Sequence, residues 1–204
     1  MNVTTAITER TAVRTFDSAH LMSATDKRHL LELARRAPSA WNVQQWRFVL
    51  IEDNALRQQL QDAAMGQTQV TDCSMFVAIV VDLDAWKRNP ARYFDALPDD
   101  VAEVFADKVR EFYDGRDWLA RDDAMRSCGL TAQTLMLAAT EMGLASCPMD
   151  LFDEERVAEL LHLPQGHVTA MFVAIGKAIQ DPDMPRMGRL AYDEVVMIDR
   201  FTTT

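Results

Sequence analysis

Three short stretches of the chain gather side chains able to hold an anion or a flat polar ring. The first, Arg10-Thr11-Ala12-Val13-Arg14-Thr15-Phe16, spaces two guanidinium groups four residues apart. On a helix that spacing puts both on one side, where they can converge on a phosphate or a developing negative charge. It also suits two charges that merely coat a solvated face. The second, Ala37-Pro38-Ser39-Ala40-Trp41-Asn42-Val43-Gln44-Gln45-Trp46-Arg47-Phe48, is rich in short polar side chains. Ser39, Asn42 and Gln44 can donate to carbonyl, ribityl or phosphate oxygens, or can cap their own backbone. The third, Gly143-Leu144-Ala145-Ser146-Cys147-Pro148-Met149, follows an apolar run. It reads as a helix stop and a short strand that could lay flat backbone against a planar ring, or as a plain turn.

Other chemistries lack their groups. His20, His29, His162 and His167 form neither H-E-x-x-H nor a close pair, and Cys73, Cys128 and Cys147 form no C-x-x-C, so no metal site is expected. No G-x-S-x-G elbow, phosphate-binding P-loop or G-x-G-x-x-G occurs. A phosphorylated cofactor would therefore have to be held by side chains. A net charge of −10 argues against nucleic acid and anionic membranes as partners, so any bound anion must meet a local cluster of cations. With three scattered cysteines, no apolar leader in Met1–Arg14 and no apolar run of the roughly 20 residues a bilayer demands, a reducing cytoplasmic setting is expected.

The elements that must position these stretches can be read from periodicity. Val3, Ala6 and Ile7 followed by Arg10 and Arg14 predict an opening amphipathic helix that carries both arginines. Ser23 with Asp26 resembles a capping box, and Leu30, Leu33, Ala34 and Ala37 continue a helix that Pro38 should end. Strands are expected at 46–51, 75–81, 169–176 and 194–198, and helices from Asp53 to Met65, Leu130 to Met142 and Asp153 to Leu161. Between 84 and 123 lies a polar, aromatic, partly helical excursion. Its Phe105, Phe112, Tyr113 and Trp118 either wall a binding slot or pack the excursion onto the core.

In order and spacing the three stretches resemble the nitroreductase family, whose pattern runs R-x-S-x-R-x-F, then A-P-S-x-x-N-x-Q-P-W-R-F, then G-L-G-S-C-P. The resemblance extends to Thr131–Ala139 as the central helix and to Arg189-Leu190 ahead of Glu194-Val195-Val196. It implies one α+β domain over 1–204, a central mixed sheet flanked by helices, and an intertwined homodimer. It further implies FMN as cofactor, NAD(P)H as co-substrate and a small planar electron acceptor. Arg10, Thr11 and Arg189 would hold the FMN phosphate, with Arg186 as second choice. Arg14 would stand by the pyrimidine edge of the ring. Pro38, Ser39, Ala40 and Asn42 would reach the flavin of the other subunit, and Pro148 and Met149 would line the ring face. The flavin N5 carries the chemistry, so no catalytic side chain is implied. Departures are Ala12 for serine, Gln45 for proline, Ala145 for glycine and Gly176-Lys177-Ala178 where G-Y-P is common. Two alternatives share the fold: a flavin-binding or regulatory protein without turnover, and an enzyme for one enone or halogenated metabolite.

Overall fold

The computed structural model describes residues 1–179 and 186–201. The proline- and methionine-rich connection at 180–185 and the terminus at 202–204 lie outside the described residues. Among those described, β1 (Trp46–Ile51), β2 (Met75–Asp82), β3 (Ala145–Met149) and β4 (His167–Gly176) form one sheet in the order β1-β2-β4-β3. β2 is buried at every position, which is why it reads as an unbroken apolar run. Because successive side chains alternate faces, Val77, Ile79 and Val81 enter one core, and Phe76, Ala78 and Val80 enter another.

The first core is closed by α2 (Ala24–Ala34) and α6 (Asp117–Glu141). Ser23 caps α2 by accepting from the Asp26 amide, and the helix stops at Ala34, before Pro38. The inward face of α6 repeats small residues, Ala120, Ala124, Cys128, Thr131, Ala132 and Ala139, which lets a long helix lie close to its neighbours. Thr131 ties it to α2 by donating to the Ala34 carbonyl at 2.6 Å. Its outer side leaves Leu130 exposed. The second core is closed by α3 (Asn54–Ala63), α4 (Gln69–Asp72) and α7 (Glu154–Leu160). Asp53 and Asp153 cap α3 and α7, accepting from the Leu56 and Arg156 amides.

The excursion carries α5 (Asp99–Tyr113) and has an apolar cluster of its own, built on Trp86, Tyr93, Val109, Tyr113 and Ala120 and joined by Val43. Its end is earlier than the sequence suggests, since α6 already begins at Asp117.

The α+β class is as expected, and three details differ. All strand pairs in the sheet are antiparallel, and parallel pairing is confined to an isolated bridge between Ala12 and Ser146. The expected strand at 194–198 is absent from the sheet. A short helix, α8 (Tyr192–Val195), begins this stretch, and the following residues find no strand partner among the described residues, so β-branched content alone yields no strand. Finally, α1 (Val3–Glu9) ends before the arginines. Arg10 leaves it with φ −57° and ψ 125°, and residues beyond run extended along β3, where the edge offers backbone partners that outweigh helical propensity.

Candidate functional site

Arg10 and Arg14 therefore do not share a helix face, yet both reach β3. The Val13 amide donates to the Ser146 carbonyl at 3.0 Å and Phe16 bridges Ala178, which fastens the first stretch beside the third. Ala12 enters this seam through its backbone, so the methyl in place of a serine costs the seam nothing. The end of α6 completes the arrangement: Gly143, at φ 76°, turns the chain while its amide and that of Leu144 donate to the Thr140 and Ala139 carbonyls. Between these walls lies a cavity of about 240 Å³ lined by Glu9, Arg10, Thr11, Val13, Gly143–Ser146 and Ala178.

Ser146 is the residue to which the sequence alone assigns no role. It is 1% exposed, and its Oγ has no hydrogen-bond partner among the described residues. A buried hydroxyl left so costs about 1–3 kcal/mol, which a ligand oxygen could offset. The only sequence signal is its place inside the third stretch, one residue before Cys147. Neither Arg10 nor Arg14 has a carboxylate within salt-bridge distance among the described residues. Two cations without a salt-bridge partner among the described residues and an orphaned hydroxyl fit an anionic, oxygen-rich ligand such as a phosphate ester. Burial pushes the Cys147 thiol up, against the Gln69 hydrogen bond and the positive charge of Arg14, which disfavours the thiolate. Pro148 is exposed on the same strand, whereas the Met149 side chain lies in the second core, so Met149 can offer a ligand only its backbone.

Of the two C-terminal arginines, Arg186 approaches the first stretch, donating to the Arg10 carbonyl at 3.4 Å. Arg189 donates only to the nearby carbonyls of Met187 and Gly188.

The second stretch stands apart. Ser39 Oγ accepts from the Gln44 amide at 3.0 Å and keeps its own proton to donate outward. Asn42 Nδ2 donates to the Tyr93 carbonyl at 2.7 Å. Asn42 and Gln44 line a different cavity, of about 350 Å³, with Arg35, Arg36 and Ala37. Pro38, Ser39 and Ala40 flank this loop, and neither cavity includes a residue of the other.

The aromatic candidates divide. Tyr113 is fully buried and its hydroxyl donates to Asp123 at 3.0 Å, so it packs the excursion. Phe105 pairs with Phe94, and Trp118 is exposed. Phe112 faces the second stretch, its ring 5.5 Å from that of Trp41. No cluster of three metal-ligating side chains occurs among the described residues, nor any helix long and apolar enough to cross a membrane.

The family model described as "Nitroreductase family" matches residues 7–177. Protein DrgA of Synechocystis is 42% identical over 181 residues, covering 89% of this chain and 86% of its own. A Thermus thermophilus protein named NADH dehydrogenase is 31% identical, covering 73% of this chain and 74% of its own. Among solved structures, one from Exiguobacterium sibiricum, in complex with FMN, superposes with a TM-score of 0.88 at 25% identity over 97% of both chains.

Proposed function

The chain belongs to the nitroreductase family, and on that premise we propose that it is a homodimeric, FMN-dependent oxidoreductase drawing hydride from NAD(P)H. Its acceptors would be small planar compounds such as nitroaromatics and quinones. The observation that carries this reading is the cavity in which Arg10, without a salt-bridge partner among the described residues, Thr11 and the orphaned Ser146 hydroxyl meet the β3 backbone. The related structure holding FMN and the relative named for NADH oxidation support the cofactor and the reductant.

When bound, FMN supplies the two-electron chemistry, accepting hydride from nicotinamide and releasing electrons to the acceptor. The chain's own work is binding and electrostatics. Arg10, with Arg186 or Arg189 beside it, would neutralise the phosphate, and Thr11 and Ser146 would donate to its oxygens or to the ribityl chain. Arg14, whose charge is felt at Cys147 in mid-β3, would place a fixed cation where negative charge grows on the reduced ring. Pro148, which has no amide proton, would leave a flat face at that point of the strand.

The separation of the two polar stretches within one chain supports the dimer. A cavity of about 240 Å³ is below the ~300–1,000 Å³ usual for such ligands, which suits a site that a second molecule completes. Ser39 and Asn42, remote from Arg10 in one chain, would complete the site of the other. Residues 186–201 leave Leu190, Tyr192, Val195, Ile198 and Phe201 exposed, an apolar arm suited to lying on a second copy.

The test is direct. The purified protein should be yellow, release FMN on denaturation, bleach with NADH or NADPH, and recover colour with a nitroaromatic or quinone. If both substrates use one face of the ring, double-reciprocal plots should be parallel. A protein that binds FMN but is not reduced would be a carrier or sensor instead. A colourless protein that cannot be reconstituted would end the reading.

A further inference from the structure

The loop between α2 and β1 is bent where side-chain-bearing residues resist bending. Trp41, Asn42 and Gln44 have φ of 54°, 55° and 49°, in the left-handed region, and no glycine relieves them. Asn42 tolerates this region, but Trp41 and Gln44 do not favour it, so surrounding groups must hold them there. Val43 is sunk fully into the excursion's cluster, and Asn42 is held by the Tyr93 carbonyl.

The third hold is Arg47, which lines neither cavity. Its Nη1 donates to the carbonyls of Gln44 at 2.9 Å and Trp46 at 2.8 Å, and its Nη2 pairs with Asp82 Oδ2 at 2.8 Å. Asp82 closes β2, is 1% exposed, and is itself fixed by Arg88 and by the Asp84 amide, with His167 Nε2 at 3.7 Å. A planar guanidinium can span the buried carboxylate and the loop carbonyl together, whereas an ammonium is a single point of charge.

Resting on the proposed function, the geometry points to Arg47, anchored on Asp82, as a positioning residue: it holds Ser39–Gln44 in the strained shape that presents Ser39 and Asn42 to the flavin of a second copy. Arg47 would touch neither flavin nor substrate.

The control is built into the structure, because Arg88 pairs with the same carboxylate oxygen yet makes no bond to the loop. Any effect that works through Asp82 or through general stability strikes both Arg47→Met and Arg88→Met. The reporters are the amides of Asn42, Val43 and Gln44, bonded to the Ser39 carbonyl, the Ala40 carbonyl and Ser39 Oγ. In full-length protein without added flavin, Arg47→Met should speed hydrogen exchange at these amides by about tenfold, the scale of one charge-assisted bond. The FMN dissociation constant should rise by a similar factor. Arg88→Met should change both by less than roughly twofold, and Arg47→Lys should fall between the two methionine variants. Equal effects of Arg47→Met and Arg88→Met, or unaltered exchange at the three amides in Arg47→Met, would overturn the inference. If Arg47→Met does not fold, the same exchange measurement on Arg47→Lys decides. The exchange arm uses no cofactor, so a wild-type chain that fails to bind FMN would refute the proposed function and leave the loop's tether to be judged separately.

Discussion

Replacing Ser146 by alanine should move the free and the flavin-bound protein in opposite directions. The hydroxyl is buried and unpaired among the described residues, so the free protein carries its desolvation without return. Removing it should stabilise that state by about 1 kcal/mol, the lower end of the ~1–3 kcal/mol for an unsatisfied group. In a chain of this size that raises the melting midpoint by about 2–4 °C. If the hydroxyl donates to a phosphate or polar ring oxygen, losing a bond worth ~1.5–3 kcal/mol weakens FMN binding by about 10- to 150-fold. Saturation at 100 times the dissociation constant contributes about 2.7 kcal/mol, so the midpoint gained on adding a fixed FMN concentration should shrink sharply. Thermal melts with and without FMN, paired with flavin-fluorescence titration, measure both changes. A Ser146→Ala protein that melts lower when free and binds FMN as tightly as wild type would show that the hydroxyl serves the fold, and would refute the reasoning.

Further outcomes are expected. Arg10→Ala should weaken FMN binding by about 1.5–3 kcal/mol, and comparing Arg186→Ala with Arg189→Ala by titration decides which arginine joins it. Sedimentation should find a dimer down to low protein concentration, and a folded, FMN-loaded monomer would contradict a site completed by a second copy. Tyr113→Ala should cost on the order of 3–5 kcal/mol and leave acceptor ranking alone, whereas Phe112→Ala, beside Trp41, should change kcat/KM unequally among acceptors. Burial raises the thiols of Cys73 to about 11 and Cys128 to about 12 from an ordinary value of 9.0. The folded state thus keeps its protons longer than the unfolded one, so the stability held below pH 9 should fall as pH rises through 11 to 12. Chemical unfolding across that range checks the sign, and native thiols should react slowly with a disulfide reagent at pH 8, where they are almost wholly protonated.

What could be read from the chain followed local physics. β1 was legible to the residue, because Trp46–Ile51 is bounded by polar neighbours, and Asp53 announced its helix through capping. Errors came where a remote partner decides. The spacing of Arg10 and Arg14 suits a helix, but the open edge of β3 captures the backbone from Ala12 onward and replaces one periodicity with another. The run at 194–198 has strand composition, and pairing depends on a partner that composition does not reveal. Of the candidate site, the first and third stretches meet through the Ala12–Ser146 bridge, a contact that their spacing in the chain does not announce. Ser146 lay inside the third motif, but no role could be read for it there, because its meaning lies in the bond it lacks among the described residues. Arg47 was visible within its motif, but its role depends on Asp82, which lies 35 residues away.

The separate apolar cluster of the excursion has an evolutionary consequence. Trp86, Tyr93, Val109 and Tyr113 pack on one another and belong to neither core of the sheet. An insertion or a changed side chain between β2 and α6 is therefore absorbed within that cluster, while strand register and the walls of the Arg10 cavity stay as they are. Selection, or a directed library, can then vary the excursion without disturbing the packing of the sheet's two cores. The points of restraint are its grips on the loop, Val43, the Tyr93 carbonyl under Asn42 and Phe112 against Trp41. Those grips are the fixed pins around which the rest of the segment is free to vary.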